Sequence, residues 1–485
     1  MPIKVRAALL VTCLGLTALP VASRAEAPLS AIDWLSQSVS TPPGTIVPGA
    51  NRPPEAPVAP GGALPADVAV RPIDGPSPDA AGLFSPARSG LPRDLWGMGL
   101  EEEIIARLSE SQTEALPALQ ALVMTLMLAE ATPPVDSAGD GRFVLARVDR
   151  LLALGALDQA EALLEASGKT TPEAFRRAFD IALLTGHEDK GCARMRELPN
   201  LAPTFQARVF CLARSGDWNA AALTLRTAQA LGQIDDTEDA LLSRFLDPDL
   251  YEEELVPPPP PRMTPLTWRL YEAIGEPLPT ATLPVAFAHA ELRETAGWKG
   301  QIEAAERLAR AGAVAPNLLL GLYTQRQPAA SGGVWDRAAA VQRTDSALAR
   351  GDMATVAQSL PVAWARMAEA ELEVPFAQLF AERLKALPLT GEAGRAAFEI
   401  ALLSSRAQDL AASHAPASAR EAFLIALANG QTAGAEPQDS LGRAILAGYQ
   451  ATALPAAYAP LVEQRRMGEA ILLAVAQIGR GLRGE

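Results

Sequence analysis

The sequence predicts an all-α protein, an α-solenoid of helical hairpins in two arrays, preceded by a disordered proline-rich tether. Three observations carry that prediction. Hydrophobic residues make up 49% of the 485-residue chain and aromatic residues only 5%, and the abundant alanine suits helices that pack closely on one another. Beyond Leu100, apolar residues recur mainly at helical spacing. Glycines interrupt that pattern at Gly155, Gly186 and Gly216, 31 and 30 residues apart. One hairpin per fixed period near thirty is the mark of an α-solenoid.

From the start of the chain, residues 1–25 read as a secretory signal peptide. Lys4 and Arg6 form a positive head, Ala7 to Leu19 an apolar stretch, and Ser23-Arg24-Ala25 a small-residue cleavage site. Cleavage is expected after Ala25, and the mature protein is expected in the periplasm. No later segment has the apolar length of a membrane span. Leu116 to Ala129 comes nearest, and its Gln120 and Thr125 make it a buried helix instead.

Residues 26–92 are expected to be disordered apart from one island. From Ser40 to Pro92 there are thirteen prolines among glycine and alanine, too little apolar surface to offset the entropy of ordering. Such a tether reaches on the order of 40 Å for its fifty or so residues. The island is SAIDWLSQSV, residues 30–39, where Ile32, Leu35 and Val39 fall at helical spacing beside Trp34. A helix that short is not stable alone in water, so Ile32, Trp34 and Leu35 are candidate partner-binding anchors. They dock either on another protein or on a groove of this chain.

The first helical array is expected over 93–250 and the second over 265–485, divided by an acidic and polyproline linker at 251–264. That linker contains Glu252 to Glu254 and the run Pro257 to Pro261, which favours polyproline II over helix. Within the first array, RVDRLLALGALDQAEALLEAS is apolar at Val148, Leu151, Leu152, Leu157, Ala160, Leu163 and Leu164, with Gly155 between the two halves. That pattern gives two amphipathic helices joined by a left-handed glycine turn.

The stretch from Phe205 to Ala228 resembles the tetratricopeptide and related helical-hairpin repeats. Phe205 and Leu212 occupy the first helix, Gly216 and Trp218 the turn, and Ala221, Leu225 and Ala228 the second helix. Val209 stands where that family has a small residue, Gln233 replaces its closing proline, and the period is shorter. The resemblance covers about Arg142 to Ile234, with a fainter echo at Ala347 to Ala363, and it implies a hairpin fold with a binding role. The hairpin reading also places Cys192 on the second helix of one hairpin and Cys211 on the first helix of the next. Antiparallel helices joined near Pro199 to Pro203 bring the two nearly level, which makes them a candidate disulfide in an exported protein. The alternative is a pair of buried thiols.

No motif for chemistry emerges. His187, His289 and His414 are isolated, and there are no paired histidines or C-x-x-C clusters, so no metal and no cofactor are expected. Neither a G-x-S-x-G elbow nor S-x-x-K occurs. ASGGVW, residues 330–335, lacks the spacing and lysine of a phosphate loop, and Tyr323 to Gly333 reads as a surface loop. Glu110-Ser111 begins like a lytic transglycosylase motif but lacks its continuation, so no catalytic residue is assigned. The formal charge of −14 becomes −17 once Lys4, Arg6 and Arg24 leave with the signal peptide. That disfavours nucleic acid and anionic membrane surfaces. The expected function is a non-catalytic periplasmic scaffold or adaptor binding protein partners of the cell envelope. A peptidoglycan-associated enzyme, or an accessory protein with a transglycosylase-like superhelix, is the alternative.

Overall fold

The computed structural model describes residues 77–483, apart from 111–115, 252–254, 406 and 410–413. The signal segment and the island with Ile32, Trp34 and Leu35 lie outside the described residues. Among the described residues every regular element is a helix, and one isolated parallel bridge joins Phe84 to Ala129. No helix there is long and apolar enough to cross a membrane.

Residues 77–92, which the sequence places in the tether ahead of the expected boundary at Arg93, are ordered. A 3-10 turn at Pro78–Ala80 opens the segment, with Ser77 Oγ accepting from the Asp79 amide. The main chain then runs against the helix Pro117–Leu128 (α2), with the Leu83 and Phe84 amides donating to Leu128 O at 2.8 and 3.0 Å. Arg147, in the next helix Arg142–Ala153 (α3), is fully enclosed. It donates to Ala81 O at 2.6 Å, to Met127 O at 2.6 and 2.9 Å, and to Ala129 O at 2.8 Å. Burial draws its guanidinium down to about 10, so it stays charged at neutral pH and satisfies carbonyls that no helix serves. The composition of 77–92 looks too poor to order a chain; polar anchoring by Asp79 and Arg147 orders it instead.

Glu101–Glu110 (α1) and α2 lead into paired helices. These are α3 with Leu157–Ser167 (α4), Pro172–Thr185 (α5) with Glu188–Glu197 (α6), and Phe205–Arg214 (α7) with Trp218–Ala230 (α8). The expected glycine turns recur. Gly155, Gly186 and Gly216 take φ of +76°, +80° and +85°. In each case the following amide reaches back five residues: Ala156 to Leu151 O, His187 to Ala182 O, Asp217 to Leu212 O. That bond closes the helix through the left-handed residue, a conformation without penalty only for glycine. Gly351 at +68° with Asp352 N donating to Ala347 O repeats it in the second half. Of the hairpin residues between Phe205 and Ala228, Val209, Ala221, Leu225 and Ala228 are buried. Val209, large where a small residue is usual, packs there with Phe210 and Leu241.

Asp236–Leu246 (α9) follows, then the polyproline run and Pro265–Ala273 (α10). Leu266, Leu270 and Tyr271 of α10 share one apolar cluster with Leu241 and Leu242, and Tyr271 donates its hydroxyl to Pro257 O at 2.8 Å. A 3-10 stretch, Val285–Leu292, packs on α5 and carries the buried His289, whose Nε2 lies 2.7 Å from Gly155 O.

A separate cluster fills the helices Trp298–Arg310 (α11), Pro316–Gln325 (α12), Val334–Arg350 (α13), Met353–Ala368 (α14), Glu373–Leu384 (α15) and Gly391–Leu402 (α16). At its centre Glu306 accepts from Tyr323 OH and from Arg337 Nε, both at 2.8 Å. Tyr323 therefore belongs to α12 and to the core, and only residues 326–333 form the loop expected from Tyr323 onward.

Ala419–Ala428 (α17), Ser440–Gln450 (α18) and Ala459–Glu463 (α19) lead to Met467–Arg483 (α20). This last helix packs on α1 and α2, and Leu472 and Val475 join the cluster of Leu95, Trp96 and Ile104. Fully buried Glu469 accepts from Arg107 Nε at 3.1 Å and from Arg466 Nε at 2.6 Å, and Arg466 also reaches Glu103. The two ends of the helical array thus meet, where an open solenoid holds its terminal repeats apart.

Candidate partner-binding surface

Helices α6 and α7 enclose an open groove of about 550 Å³. Its floor is the Cys192–Cys211 disulfide, with Cα atoms 5.0 Å apart, together with Met195 and Leu212. The pairing follows from the hairpin geometry: the turn at Pro199–Leu201 reverses the chain midway, so one residue on each helix comes level with the other. Around this apolar floor stand Arg196, Arg208 and Arg214. Arg214 donates from Nε to Asp189 Oδ1 at 2.9 Å, and Arg208 to Pro199 O at 3.0 Å with its guanidinium 5.8 Å from the Phe205 ring. Arg214 is ion-paired with Asp189 and Glu188, which leaves Arg196 and Arg208 to give this groove positive charge in a chain of net charge −14, and forked guanidinium groups suit carboxylates.

The second feature lies on α17 and α18. Ser418 caps α17 and Asp439 caps α18, the latter accepting from the Gly442 amide at 2.6 Å. Buried Phe423 sits against Gly442, and a Cβ added there would stand 3.1 Å from its ring. Elsewhere α18 is exposed apart from the half-buried Leu446. Leu441, Ile445 and Tyr449, at i, i+4 and i+8, are 68%, 39% and 59% exposed, and Leu454, beyond the helix, is exposed too. Such a stripe is the surface that an amphipathic helix presents to a partner.

Glu110 is exposed at the end of α1. His187 is exposed, its Nδ1 3.1 Å from Thr185 Oγ1. Burial holds the His289 imidazole below its ordinary pKa, against the opposing pull of the Gly155 carbonyl, so it is neutral at pH 7. His414 lies 3.2 Å from Glu421 and stacks on Phe398. No two histidines share a cluster of metal-ligating groups among the described residues, but one trio of carboxylates does converge: Asp79, Glu101 and Asp140. Reading the sequence missed it because its members come from three separated segments; only the acidic, glycine-bearing DSAGDG at residues 136–141 hinted at it.

Comparison with known proteins gives no match. No family model, no curated protein and no solved structure matches this chain. Its function is therefore read from its surfaces alone.

Proposed function

We propose that the protein is a non-catalytic scaffold of the cell envelope, built from helical hairpins related to tetratricopeptide repeats and exported to the periplasm with cleavage after Ala25. It holds a protein partner on its exposed helical surface, and Ile32, Trp34 and Leu35 act as tethered anchors on the same partner. The observation that carries this reading is the apolar stripe Leu441, Ile445 and Tyr449, which stays exposed among the described residues. A contiguous apolar patch costs solubility unless something covers it. The disulfide supports an oxidising compartment, and the positive groove supplies a second contact suited to an acidic segment of the same partner.

The test compares three proteins in pull-downs from envelope extract: the mature chain, a chain starting at Ile73, and the mature chain carrying Leu441→Ser with Tyr449→Ser. Starting at Ile73 keeps Asp79 and the Arg147 anchor intact. The stripe variant should lose partners that the mature chain retains, and the shortened chain should hold them more weakly. Identical partner sets in all three refute the reading. Release of soluble fragments from isolated peptidoglycan by the purified protein would instead favour a cell-wall enzyme.

A further inference from the structure

We propose that Asp79, Glu101 and Asp140 together bind a calcium ion, which ties the first turn of the structure to the N-terminal ends of α1 and α3. One ligand atom from each of the three carboxylates lies within 4.8 Å of the others, a spacing that oxygens about 2.4 Å from a common calcium ion can reach. Asp79 and Glu101 are buried, 1% and 5% exposed, while Asp140 opens the group to solvent. Waters can therefore complete the coordination from that side.

Helix capping explains part of this cluster. Asp79 accepts from the Val144 amide at 3.0 Å and from the Gly141 amide and Ser137 Oγ at 3.1 Å, which accounts for its burial at the start of α3. Asp140 accepts from the Arg142 amide at 3.0 Å, and Asp136 from the Glu101 amide at 2.7 Å. Glu101 has no such role. Its Oε1 is buried and has no hydrogen-bond partner, and one of its two carboxylate oxygens belongs to the converging trio. A carboxylate oxygen in that position costs several kcal/mol in general unless a cation or proton meets it.

Among the nearby cations, Arg147 interacts with the charge of Asp79, and none donates a hydrogen bond to Glu101 Oε1. Arg142 turns its guanidinium outward to Glu102 Oε2 at 2.8 Å. The Lys169 side chain runs past Gly141, but no ion pair within 4 Å joins it to the three carboxylates among the described residues. Burial first, then the charges of Asp79 and Asp140, raise the Glu101 carboxyl above its ordinary pKa, with Arg142 opposing and Asp136 adding to the rise. A divalent ion reverses that pressure. The donor set is oxygen only, which selects a hard cation, and calcium accepts an irregular coordination shell where magnesium demands a near-ideal octahedron.

The experiment measures thermal unfolding of the full mature chain after EGTA treatment, with CaCl2, MgCl2 or NaCl of matched ionic strength, and calcium binding by equilibrium dialysis with radioactive calcium. Extracellular calcium modules bind at about 0.1–1 mM, so about 5 mM suffices. Calcium should raise the melting temperature more than magnesium does, and sodium should not raise it. Glu101→Gln and Asp140→Asn should each abolish that rise and weaken calcium binding about tenfold or more. Both keep the side-chain shape, and Glu101→Gln in EGTA should melt no lower than the parent, because it removes a buried charge. Absence of a calcium shift, an equal shift with magnesium or sodium, or an undiminished shift in both variants overturns the proposal.

Discussion

Helices α3 to α8 and helices α17 to α18 are written in the same amphipathic code yet end in opposite states. In α3, Phe143, Val144, Val148 and Leu151 are all buried, and their partners on α4 close over them. In α18 the corresponding apolar row, Leu441, Ile445 and Tyr449, faces solvent. Periodicity fixes which residues share a helix face. It does not fix what covers that face. In the first region the covering surface comes from the next hairpin; in the second, Phe423 and Pro437 meet α18 at Gly442, and among the described residues the row stays exposed.

That contrast predicts how each region responds to substitution. The largest effect is expected at Arg147. Arg147→Ala leaves the Ala81, Met127 and Ala129 carbonyls without their donor, and should cost about 3–5 kcal/mol in chemical denaturation. The disulfide comes next. Replacing Cys192 and Cys211 by serine, or reducing the bridge, frees a segment with a sequence separation of 19 and should cost about 3 kcal/mol. Wild type under reductant should then unfold like the double variant.

A smaller effect of opposite sign is expected at Asp180 in α5, where burial raises the carboxyl to about 6 against the pull of Arg176 and Arg177, with Asp149 adding to the rise. Because the folded form holds its proton more tightly than the unfolded chain, this group destabilises progressively as pH rises from about 4 to 6. Asp180→Asn should therefore stabilise at pH 7, on the order of 1–2 kcal/mol after allowance for partial exposure, and the gain should vanish near pH 4. Denaturation curves across that pH range give the answer directly.

The smallest effect belongs to α18. Leu441→Ser with Tyr449→Ser should move stability by no more than about 0.5 kcal/mol, whereas Val148→Ala alone should cost about 1–3 kcal/mol. If the α18 pair costs as much as the buried site, the stripe is a core face and the contrast between the regions fails.

Much of the fold was legible in the sequence, and the reason is local. Gly155, Gly186 and Gly216 punctuate helices because the left-handed residue is needed wherever a hairpin turns, and Cys192 and Cys211 become level as soon as that turn is placed. What could not be read depends on distant partners. Asp79 looks like one more residue of a proline-rich segment until the Gly141 and Val144 amides are set against it. Likewise, Glu101 resembles any acidic residue opening a helix until Asp79 and Asp140 stand beside it. Ile32, Trp34 and Leu35 keep the role assigned to them as a proposal, since they lie outside the described residues.

The meeting of α20 with α1 also bears on how the chain reaches this state. The Gly468 amide donates to Leu95 O at 2.8 Å, and Gly468 lies flat on Trp96, where a Cβ would stand 2.4 Å from the ring. Contacts between Glu469 and Arg107 span 362 residues of sequence. Loop closure on that scale is slow compared with forming a hairpin. Until α20 packs on them, the first helices therefore leave the side of Trp96 that meets Gly468 uncovered, with only Phe143 edge-on to the ring.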